Sequence, residues 1–80
     1  MPKTNEEVEE LFFEWSDLLL ISGGDPFRAR SYEKAARAVG AYPKDVASLD
    51  EKALLTIPAV GKNMAQRIRE YVDRGTMHEL

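Results

Sequence analysis

The chain predicts an all-α domain, a compact four-helix unit with one helix-hairpin-helix motif, and three observations carry that expectation. Apolar residues recur at three- and four-residue steps through most of its length, the period of one helix face. Glycines, prolines and short polar clusters punctuate those segments where helices start and stop. No stretch alternates apolar and polar residues as a half-buried strand would. With 80 residues there is room for one domain, residues 1–80, and no more.

The first helix is expected over about residues 5–22. Thr4, Asn5, Glu6 and Glu7 fit a capping box, and acidic residues in the first turns suit the positive end of the helix dipole. Val8, Leu11, Phe12, Trp15, Leu18 and Leu19 then mark one apolar face, so Phe12, Phe13 and Trp15 read as core rather than as a stacking platform. Gly23 and Gly24 end the helix. Asp25 before Pro26 opens a second one over residues 26–39, whose core side is Phe27, Tyr32, Ala35, Ala36 and Val39 and whose stop is Gly40. Ser48, Leu49, Asp50 and Glu51 form another capping box, starting a short helix over residues 49–55. A tight connection at residues 57–61 leads into the last helix, residues 62–74, with Met64, Ala65, Ile68, Tyr71 and Val72 on one face and Gly75 beyond its end.

Composition narrows the function classes. The chain has no cysteine, which excludes a disulfide scaffold, thiol redox chemistry and a cysteine-ligated zinc site. Its longest apolar run, residues 18–21, is far below the ~20 residues of a membrane span, so no membrane partner is expected. The composition suits a cytoplasmic monomer. Eleven basic against fourteen acidic residues give a net charge of −3, which on its face disfavours a polyanionic partner. The average conceals an asymmetry. Residues 1–25 carry one lysine against seven carboxylates, a net −6, and the remainder is +3.

No ordinary active site assembles from the residue types present. His78 is the only histidine and reads as an inert tail residue, while Glu6, Glu7, Glu9 and Glu10 read as helix-start charges. The basic residues are more informative. Arg30, Lys34 and Arg37 lie at i, i+4 and i+7 on the second helix, with Arg28 nearby, enough to grip two or three phosphates. The connection Ile57, Pro58, Ala59, Val60 and Gly61 opens directly into a helix, whose first N–H groups and dipole favour an anion, and Lys62 adds a charge at the same place.

Residues 57–68 resemble the helix-hairpin-helix motif. That motif has a hydrophobic residue, Pro-Gly, a hydrophobic residue, Gly, three variable residues, Ala, two variable residues and a hydrophobic residue. Every fixed position is matched except the first glycine, which is Ala59. Residues 24–38, GDPFRARSYEKAARA, and the tail Tyr71, Val72, Asp73, Arg74 and Gly75 are similar to the N-terminal, DNA polymerase beta-like domain of bacterial family X DNA polymerases. The resemblance covers residues 5–80 in order and spacing.

That resemblance implies a module of a DNA repair polymerase, holding gapped or single-stranded DNA at its 5′-phosphate end without reading bases. The DNA-binding residues it implies, together with the basic face, are Arg28, Arg30, Tyr32, Lys34, Arg37, Pro58, Ala59, Val60, Gly61, Lys62, Asn63 and Arg67. Main-chain carbonyls of Leu55, Ile57 and Val60 would hold a monovalent cation, Na+ or K+. A C-terminal polymerase or phosphoesterase domain would follow in the parent chain. The related 5′-deoxyribose phosphate lyase attacks its sugar through a lysine, and that position is Arg67, whose guanidinium cannot act as a nucleophile; a supporting lysine falls on Asn63. The resemblance therefore implies DNA binding without catalysis, with Lys34 and Lys62 as the candidates for a relocated nucleophile and a protein-interaction domain as the third reading. A positive φ at Ala59 would cost stability and weaken DNA binding relative to a Pro-Gly hairpin.

Overall fold

The computed structural model describes residues 3–75. Four helices form: α1 (Lys3–Ile21), α2 (Pro26–Ala41), α3 (Glu51–Leu54) and α4 (Lys62–Arg74), with one 3-10 turn at Val46–Ser48 between α2 and α3. The described residues contain no strand, as expected. None of these helices is long and apolar enough to cross a membrane.

α1 and α2 make the main packing layer. Val8 and Phe12 of α1 meet Tyr32, Ala35, Ala36 and Val39 of α2, all buried, and the two alanines let the helix axes approach closely. The Phe12 and Tyr32 rings sit edge to face, 5.4 Å between centroids. Val46, Leu54, Ile57, Val60, Ala65 and Ile68 close the core from the second half of the chain.

The expected boundaries of α1, α2 and α3 are set differently. α1 already includes Lys3, so Thr4 lies within its first turn rather than capping it. Glu7 sits instead beside the Tyr71 hydroxyl of α4. Asn5, expected as part of that cap, is fully buried and does something else. Its side-chain amide donates to the carbonyls of Val39, Tyr42 and Lys44 (3.3, 3.3 and 2.8 Å), and its oxygen accepts the Val46 N–H at 2.9 Å. At α3 the cap is Asp50, accepting from the Ala53 N–H at 2.8 Å, while Ser48 belongs to the 3-10 turn and bonds back to the Asp45 carbonyl. The helix is consequently shorter than the expected span.

Gly40 does not stop α2, which runs through it to Ala41. A Cβ there would meet only the carboxylate end of Glu9 of α1, so the glycine leaves room for that side chain. The expected starts at Asp25 and ends at Gly23 and Gly75 hold. The Asp25 carboxylate accepts from Phe27 N–H at 2.9 Å. Gly23 adopts φ +77° and Gly24 N–H returns to the Leu19 carbonyl at 2.7 Å, closing α1. Phe27 and Leu18, both expected in the core, are 79% and 59% exposed. Each sits at an end of its helix, where the apolar stripe overruns the partner helix.

Beyond its core residues Ala65 and Ile68, α4 carries a polar anchor. The Arg69 guanidinium donates to the Leu49 carbonyl at 2.9 Å and pairs with Asp73 at 2.9 Å, fixing α4 against the segment before α3.

Candidate nucleic-acid interface

The connection between α3 and α4 is a hairpin turn. The Val60 N–H donates to the Ile57 carbonyl at 3.1 Å, with Pro58 and Ala59 at the corner. Ile57 and Val60 point inward and are 2% and 5% exposed, whereas Pro58, Ala59 and Gly61 are exposed. The apolar pair therefore nails the turn to the core and turns its backbone outward. Ala59 has φ +69°, the conformation expected of the glycine it replaces.

Gly61 precedes α4 with no side-chain capping bond, and nothing lies near where a Cβ would be. The first N–H groups of this 13-residue helix have no carbonyl partner from their own helix, and a bare glycine leaves a ligand free to approach them.

In front of this terminus lies an open groove of about 430 Å³. It is lined by Arg28, Ser31 and Tyr32 of α2, Ala59 and Gly61 of the hairpin, and Lys62, Asn63, Met64 and Arg67 of α4. Three cations converge on it, and among the described residues no carboxylate lines it. A smaller groove of about 150 Å³ continues along α4 and is lined by Asn63, Gln66, Arg67 and Glu70. Asn63 and Arg67 belong to both.

Tyr32 links the two walls. Its ring is buried, and its hydroxyl lies within reach of Arg67 and Arg28. Burial pushes the phenol above its ordinary value of about 10, although both guanidinium groups pull the other way. Behind Arg67 stands Trp15 of α1, with the guanidinium carbon 5.5 Å from the ring centroid.

The structure thus brings Arg28, Tyr32, Ala59, Gly61, Lys62, Asn63 and Arg67 together and leaves other expected residues apart. Arg30, Lys34 and Arg37 are exposed on α2 but do not line the groove. Successive helical residues turn by about 100°, so this stripe faces roughly opposite to Arg28, Ser31 and Tyr32. Arg37 is paired with Glu33 at 3.6 Å. Of the two lysines considered as nucleophiles, Lys62 is in the groove and Lys34 is not. Pro58 and Val60 act through the turn rather than as lining. Ser31, Met64 and the indole behind Arg67 escaped the sequence reading. The i, i+3, i+4 spacing of Arg28, Ser31 and Tyr32 was the available signal for the first of them.

For the monovalent cation, the donor set is chemically suited. The main-chain carbonyls of Leu55, Ile57 and Val60 are neutral oxygens of the kind that suit hard cations, and the Ile57 oxygen also accepts the Val60 N–H. Among the described residues no group of three or more His, Asp or Glu side chains could hold a metal ion. His78 lies outside the described residues.

Comparison with known proteins agrees with this geometry. A helix-hairpin-helix domain family matches residues 3–77. DNA polymerase lambda of Rattus norvegicus, a family X polymerase, is 37% identical over 57 residues, covering 71% of this chain and 10% of that protein. The chain spans about a tenth of the length of that relative. With the turn, the helix it opens and all the described residues matched, this protein belongs to the helix-hairpin-helix domain family.

Proposed function

We propose that this domain binds DNA through its sugar-phosphate backbone, without reading sequence, as a module of a larger DNA repair polymerase-like protein. The observation that carries the reading is the groove in which Arg28, Lys62 and Arg67 converge on the uncapped N-terminus of α4. Cations and aligned N–H groups recognise phosphate and leave bases unread. One open groove accommodates a 5′-phosphate end of gapped or single-stranded DNA, and the exposed Phe27, next to Arg28, offers a surface on which an unpaired base can stack. The hairpin carbonyls of Leu55, Ile57 and Val60 would hold Na+ or K+, which supplies positive charge between the turn and a DNA phosphate.

Titration of a fluorescent gapped duplex at increasing salt tests this reading. Affinity falling with a log–log slope of about −2 to −3 is expected for two or three neutralised phosphates. A flat response overturns it.

Lys62 on the groove wall favours a second reading, a 5′-deoxyribose phosphate lyase with a relocated lysine. Its amine, once deprotonated, would condense with the C1′ aldehyde of a 5′-deoxyribose phosphate, the carbonyl oxygen leaving as water as the Schiff base forms. Borohydride trapping on a gapped substrate decides this: an adduct lost in Lys62→Ala supports the lyase, and no adduct excludes it.

A further inference from the structure

Arg67 is the one cation shared by both grooves, and it is held from behind. Its guanidinium carbon lies 5.5 Å from the Trp15 ring centroid, and Tyr32, whose hydroxyl faces Arg67, stands edge-on to the same indole with centroids 5.6 Å apart. An α4 side chain is thus seated on a shelf provided by α1 and α2. A long arginine gripping a ligand from solvent loses rotamer freedom on binding, whereas one already seated on an aromatic ring loses less. Contact with the ring face leaves N–H donors at the guanidinium rim able to bond phosphate oxygens. Arg28, which also reaches the Tyr32 hydroxyl, and Lys62 are exposed and have no ring-face seat among the contacts described.

We propose that Trp15 is a positioning residue: by seating Arg67 it sets the groove's preference for a terminal phosphate monoester over an internal diester. The inference rests on the phosphate-binding reading above and adds to it the side chain that makes one of three cations rigid. A terminal monoester carries close to two charges near neutral pH and three oxygens free to accept, so it gains most from a preorganised fork. Trp15 itself touches no ligand in this arrangement and acts through Arg67.

The test compares two oligonucleotides identical except for a 5′-phosphate or a 5′-hydroxyl. Their affinity ratio is measured by anisotropy for the unaltered chain, Trp15→Phe, Trp15→Leu, Arg67→Gln and the Trp15→Leu/Arg67→Gln pair. A preference of about tenfold is expected for the unaltered chain, falling to about twofold in Trp15→Leu and partly retained in Trp15→Phe. The double variant should lose no more than Arg67→Gln alone, because both changes remove the same seated cation. A general loss of stability lowers both affinities and leaves their ratio unchanged, so the ratio separates positioning from folding. If Trp15→Leu does not fold, emission of Trp15, the only tryptophan, decides in the unaltered chain. Emission must change on adding the 5′-phosphate oligonucleotide and stay nearly constant with the 5′-hydroxyl one. A ratio unmoved by Trp15→Leu, or equal emission changes with both, overturns the proposal while the phosphate reading stands. Binding of neither oligonucleotide overturns both.

Discussion

The Asn5 side-chain oxygen accepts the Val46 N–H at 2.9 Å across 41 residues of sequence, while its amide group holds the carbonyls of Val39, Tyr42 and Lys44. One buried amide thus replaces secondary structure for the chain leaving α2. Without it, several backbone groups in that exit would lie next to the core with no partner. Asn5→Ala is expected to destabilise the domain by about 2–3 kcal/mol, and Asn5→Asp by a similar amount because an ionised carboxylate cannot donate to carbonyls. Urea denaturation checks this; a loss under about 0.5 kcal/mol, the scale of an ordinary surface substitution, would show that water replaces the amide.

Ala59 at φ +69° carries a strain that glycine would not. Ala59→Gly should stabilise the fold by about 1 kcal/mol and tighten DNA binding a few-fold, as the methyl also stands in the groove lining. Thermal melting and DNA titration of the same variant check both halves. Unchanged or weaker binding would count against a backbone-contacting hairpin.

The groove cations and the outer basic face of α2 should behave differently. Arg28→Gln and Lys62→Gln are expected each to lower the salt slope of single-strand binding by about 0.7, the loss of one phosphate contact. Arg37→Gln should leave the slope unchanged, since Arg37 lies outside the groove and pairs with Glu33. An effect at Arg37 with none at Arg28 and Lys62 would place the DNA across the outer face instead.

Phe27 is 79% exposed beside Arg28. Replacing it with alanine should cost about 1–3 kcal/mol of single-strand affinity if a base stacks there, with no loss of thermal stability. A duplex without unpaired bases should bind both proteins equally. Reduced stability with intact binding would instead make Phe27 a packing residue.

Stability should fall at alkaline pH through Tyr32. Burial raises its folded-state pKa above the unfolded value of about 10, so the folded chain binds its proton more tightly. The contribution is whole below about pH 10 and is lost as pH rises through the higher folded value. Tyr71, raised by burial and by Glu7, adds in the same direction. Melting temperatures at pH 9 and 11 should drop less in Tyr32→Phe than in the unaltered chain; parallel declines would refute the assignment.

Much of this was legible before the structure. Whereas the positive φ at Ala59 is only a condition until the structure shows it, helix positions, the Asp25 cap, the Gly75 end and the Val39 and Ile68 faces follow from local spacing and backbone sterics, which sequence encodes directly. The hairpin with Lys62 at its exit was legible for the same reason. What failed was longer-range. Asn5 looked like part of a cap, because its four partners lie 34 to 41 residues away. Phe27 looked like core, because periodicity does not say where a partner helix ends.

The sequence by itself determined an all-α helix-hairpin-helix domain whose turn opens directly into a helix N-terminus, since capping, helical period and turn chemistry are local properties. Only the tertiary structure decided which cations serve that turn. Arg28 and Arg67 come from different helices and meet because α2 and α4 pack around Tyr32, whereas Arg30, Lys34 and Arg37 share a helix with Arg28 and face away from it. Helical rotation separates neighbours in sequence, and packing joins residues far apart. The seat of Arg67 on Trp15 spans 52 positions for that reason.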